Sequence, residues 1–87
     1  MRSLLITTVF TLLFPVTNAL ADSCYDLWYQ RNLIYAQNGY CFKTDLAQRT
    51  FSDFPCRTDH PQFSSHEQRR IEQIKAEERE RHCNVNQ

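Results

Sequence analysis

The 87 residues carry ten Lys/Arg against ten Asp/Glu, four cysteines and a single glycine. Balanced charge leaves no basic excess for phosphate backbones or anionic lipid, so nucleic acid is not an expected partner. A chain this short makes one small domain, with little room for a catalytic cleft and with a core that alone gives only marginal stability.

Residues 1–21 read as a secretory signal peptide. Arg2 supplies the positive start, Leu4 to Val16 the apolar run, and Ala19-Leu20-Ala21 a small-x-small cleavage site before Asp22. The run falls short of the about 20 apolar residues that span a membrane, and Pro15 lies near its end. The mature domain is then residues 22–87, with nine basic and ten acidic residues and no expected membrane span. All four cysteines (Cys24, Cys41, Cys56, Cys83) lie within it. An even number in an exported chain predicts two disulfides and a periplasmic or extracellular location.

Ser23, with Asp26 three residues on, marks a helix start. Cys24, Leu27/Trp28, Arg31, Ile34/Tyr35 and Asn38 then recur on one face at helical spacing, and Asn38-Gly39 supplies the stop. The first helix is predicted over 24–38. Thr44-Asp45 opens a shorter helical turn that ends near Phe51. Residues 57–63, with Pro55 and Pro61 about them, read as loop. Ser64 with Glu67, or Ser65 with Gln68, caps a third helix whose large apolar positions are almost confined to Ile71 and Ile74. Its polar face offers Glu77–Arg81 and Glu78–His82 as pairs four residues apart.

An antiparallel arrangement of the first and third helices sets Cys24 beside Cys83 and leaves Cys41 and Cys56 together at the other end. Bridged Cα atoms must lie within about 7 Å, so of three connectivities the favoured one is Cys24–Cys83 with Cys41–Cys56. His60, His66, His82 and Cys83 lack metal-ligand spacing, so no metal or other cofactor is expected. A cysteine nucleophile would need a free thiolate and an oxyanion-binding loop. Asp45, Asp53 and Asp59 read as cap and loop residues, not a paired-carboxylate centre. Arg31 has two readings: a fork presented to a carboxylate ligand, or an internal tie to a carbonyl or to an acid of the third helix. Tyr25 and Tyr29, four apart and off the centre of the stripe, form a candidate aromatic ledge.

Trp28-x-x-Arg31-Asn32-x-Ile34-Tyr35-Ala36-x-Asn38-Gly39-Tyr40-x-Phe42 resembles the YARHG domain, a small presumed extracellular domain of bacterial proteins. The signature run stands here as Tyr35-Ala36-Gln37-Asn38-Gly39, so Gln and Asn replace Arg and His. The likeness continues through Leu46 and Phe51 and resumes over Glu67 to Ile74. Where the family often carries Trp-Tyr after its proline, this chain has Pro55-Cys56-Arg57. The resemblance therefore implies a disulfide-bearing variant in which Cys56 replaces a buried aromatic with a covalent tie to Cys41. The resemblance implies an envelope or extracellular setting and supplies no catalytic residues.

Taken together, the residues predict a mainly α domain of about three helices, stapled by two disulfides. The expected role is non-enzymatic: binding a cell-envelope protein or cell-wall polymer through Arg31, Tyr29 and Tyr25. The rivals are a small inhibitor or regulator of an envelope enzyme, and a wall-acting enzyme.

Overall fold

The computed structural model describes residues 22–84; the predicted signal peptide lies outside the described residues. Within them the chain forms α1 (Cys24–Gln37), α2 (Asp45–Thr50) and α3 (Ser65–Glu80), and no strand. One isolated parallel bridge joins Tyr40 to Thr58.

Each helix begins at a side-chain cap. The Ser23 hydroxyl accepts from the Asp26 N–H while the Asp26 carboxylate accepts from the Ser23 N–H, a reciprocal capping box. Ser64 and Glu67 repeat it at α3. The Thr44 hydroxyl accepts from the Ala47 N–H at α2. Substituting a cap of this kind by alanine costs about 1 kcal/mol.

α1 and α3 run antiparallel. The Cys24–Cys83 disulfide closes one end, with Cα atoms 5.4 Å apart. At the other end the Asn38 amide donates to the Glu67 carboxylate at 3.2 Å. Leu27, Ile71 and Ile74 are fully buried apolar residues of this helix pair.

α1 buries more than the one stripe its spacing suggests. Trp28, at the edge of that stripe, and Ala36, outside it, join Ala47 and Phe51 in a second cluster with Leu33, Phe42, Leu46 and Phe54 packed against it. Asn32 is also buried here, its amide folded back to donate to the Trp28 carbonyl at 3.0 Å. Aromatic rings run through this side in sequence: Trp28 to Phe51 at 5.8 Å, Phe51 to Phe42 at 5.1 Å, and Phe42 to Tyr40 at 5.0 Å. Tyr40 to Tyr35 and Tyr35 to Phe63 carry it on at 5.3 and 4.9 Å. Offset and edge contacts of this kind add about 0.5–1.5 kcal/mol each beyond burial.

Gly39 turns the chain out of α1 at φ +80°, a conformation that side chains disfavour. Its carbonyl accepts from the backbone N–H groups of Arg57 and Thr58 at 2.7 and 3.0 Å, and the Cys41 N–H donates to the Thr58 carbonyl at 2.9 Å. A Cβ on residue 39 would stand only 3.0–3.1 Å from atoms of the Arg57 guanidinium. The Cys41–Cys56 disulfide ties the same two segments, with Cα atoms 4.6 Å apart. Cys56 itself is exposed. The covalent tie to Cys41 that the resemblance implies at position 56 is therefore present, and the apolar packing nearby comes from Phe51 and Phe54.

Candidate functional site

The three residues singled out as a binding surface separate into two environments. Arg31 lies on the α3-facing side of α1 and is 8% exposed. Its Nε donates to Glu78 Oε1 at 2.9 Å and its Nη2 to Glu78 Oε2 at 3.1 Å. The carboxylate it holds is therefore the chain's own, and the reading of Arg31 as a ligand-facing fork gives way to the internal one. Glu78 correspondingly does not pair with His82 four residues on, whereas Glu77 does pair with Arg81, at 3.2 Å. A partner that fixes both carboxylate oxygens out of water outcompetes a solvated neighbour on the same helix.

Tyr25 and Tyr29 stand on the outer edge of the aromatic cluster, 46% and 37% exposed. Their rings are 6.4 Å apart. Each is seated from behind, Tyr25 against Trp28 at 5.2 Å and Tyr29 against Phe51 at 5.2 Å. Both rings thus present one side to solvent while packing fixes the other. Rigid, half-exposed aromatics of this kind lose little entropy on binding. Tyrosine also brings a hydroxyl that can donate or accept at the rim.

Among the family-motif positions, most build the fold. Trp28, Asn32 and Ala36 are buried, Tyr35, Tyr40 and Phe42 are links in the aromatic series, and Gly39 makes the turn. Asn38, at the position where the family's histidine stands, donates to both the Ile34 carbonyl at 2.8 Å and Glu67 at 3.2 Å. It is a clamp between α1 and α3. Gln37, at the arginine position, is exposed and lines an open groove of 410 Å³ with Gln30, Leu33, Ile34, His66 and Arg70. Position 37 is where the departure from the motif changes the surface.

Hydrogen bonds shift three surface groups, Glu67, Lys43 and Asp59. The Ser64 N–H and then the Asn38 amide hold the Glu67 carboxyl below the ordinary glutamate range. A hydrogen bond at 2.6 Å between Lys43 and Asp59 raises the lysine and lowers the acid. That pair stands in water beside the Tyr40–Thr58 bridge, so it orients the loop more than it stabilises it. Asp45 is paired with Arg49 on the surface of α2. The four cysteines are all consumed in disulfides. No helix among the described residues is long and apolar enough to cross a membrane.

A family model described as the YARHG domain matches residues 11–79. The matched span takes in α1, α2 and all but the last residue of α3. Comparison with curated proteins gives no match, and comparison with solved structures gives none.

Proposed function

Because this chain belongs to the YARHG domain family, we propose that it is an exported, non-enzymatic binding domain that engages a cell-envelope component, either wall polymer or an envelope protein. The observation that carries this reading is the Tyr25–Tyr29 ledge: two aromatic rings seated on the core, with their other sides in solvent. Two disulfides in a domain of three short helices fit an oxidising compartment.

The test is co-sedimentation of the mature, oxidised protein with purified peptidoglycan sacculi. Saturable pelleting that disappears in a Tyr25→Ala/Tyr29→Ala variant, with folding checked by circular dichroism, supports wall binding through the ledge. Protein that stays in the supernatant overturns the wall-polymer version, and crosslinking in the envelope then tests the protein partner.

A further inference from the structure

On the side of the helix pair away from the tyrosine ledge, next to the Cys24–Cys83 bond, Arg31, Lys75, Glu78, Arg79, His82 and Cys83 line an open groove of 290 Å³. Its one acid, Glu78, has both oxygens occupied by the Arg31 fork. That arginine side chain is only 10% exposed, yet its Nη1 has no hydrogen-bond partner among the described residues. Lys75 forms a loose, exposed ion pair with Glu72 at 3.8 Å, too long for a hydrogen bond. Arg79 and His82 form no side-chain hydrogen bond or ion pair among the described residues.

The carbonyl end of α3 favours cations in its last turn, which accounts for Arg79 by itself. It does not account for Lys75, which lies before that turn and has only a loose, exposed pair with Glu72, nor for a guanidinium nine-tenths buried whose Nη1 still reaches solvent. With Arg31 and Glu78 cancelling and Lys75 loosely offset by the exposed Glu72, Arg79 leaves a net positive charge beside a donor held rigidly by its own ion pair.

We propose that this groove binds a phosphate group: a compact oxyanion drawn to Arg79 and to Lys75, whose exposed pair with Glu72 it displaces, and whose oxygens accept from the Arg31 Nη1. Such a group comes either from a soluble phosphorylated molecule or from a phosphomonoester lipid headgroup. The site is separate from the ledge and does not depend on what the ledge binds.

Amide chemical shifts, followed by NMR on the oxidised protein, report titration with inorganic phosphate against sodium chloride at matched ionic strength. The expected result is saturable shifts over residues 75–83 with a Kd of about 1 mM. Lys75→Ala/Arg79→Ala is expected to raise that Kd by about tenfold, since each charged contact adds a factor of a few. Tyr25→Ala/Tyr29→Ala, on the other side, is expected to leave it unchanged. A parallel flotation assay with vesicles containing phosphatidic acid distinguishes the sources: binding there identifies the headgroup, and a response to free phosphate alone identifies a soluble ligand. Shifts that chloride reproduces, or a loss as large in Arg49→Ala, whose charge lies outside the groove, would show diffuse attraction and overturn the proposal.

Discussion

Arg31 and Glu78, 47 residues apart in sequence, meet through two parallel hydrogen bonds at 2.9 and 3.1 Å, with side chains only 10% and 14% exposed. The pair lies in the α1–α3 interface, which Leu27, Ile71 and Ile74 fill with apolar bulk. Desolvation offsets most of its Coulombic gain, so its larger effect is on specificity: a register shift between the helices would leave two charges unpaired.

Breaking the pair from one side is therefore expected to cost more than removing it whole. Arg31→Met or Glu78→Leu alone should destabilise by about 3–5 kcal/mol, because each leaves a charge poorly solvated. The double variant should recover most of that loss. Urea unfolding of the four proteins in a double-mutant cycle measures it, and additive losses would show that the pair is effectively solvated.

The two disulfides close loops of different length, with sequence separations of 59 and 15. Chain entropy assigns about 4 kcal/mol to the first and about 3 kcal/mol to the second. Both approach the whole net stability of a small domain. Cys24→Ser/Cys83→Ser should thus lower the unfolding midpoint more than Cys41→Ser/Cys56→Ser, and full reduction should leave the chain largely unfolded by circular dichroism. Retention of native helicity after reduction would show that the cores suffice.

Glu67 links stability to pH. Hydrogen bonds from the Ser64 N–H and the Asn38 amide favour its charged form in the folded state, so its carboxyl titrates lower there than in the unfolded chain. Its contribution is fully present above the ordinary glutamate value of about 4.3 and is lost as pH falls through the lower folded value. Thermal melts between pH 3 and pH 6 should show the native protein losing stability on acidification below that value. Glu67→Gln should flatten the dependence, and an unchanged slope in that variant would assign the acid sensitivity to other carboxylates.

Helix starts and stops were legible in the sequence because they are local. A serine or threonine cap bonds an N–H within three residues, as at Ser23, Thr44 and Ser64, and a glycine tolerates the left-handed turn that ends α1. The family resemblance and the three-helix, two-disulfide architecture were legible too, since helix length and order alone set which cysteines lie near one another. The choice of partners was made only by tertiary structure. Glu78 had a solvated histidine four residues away and instead bonds an arginine on another helix, because a desolvated two-point contact is worth more than an exposed one-point contact. α1 showed one stripe by its spacing and buries a wider surface, because Phe42, Phe51 and Phe54, which have no period of their own, fold back over Trp28 at the stripe's edge and Ala36 beyond it. That second cover also leaves Tyr25 and Tyr29 at its rim, half in and half out of water.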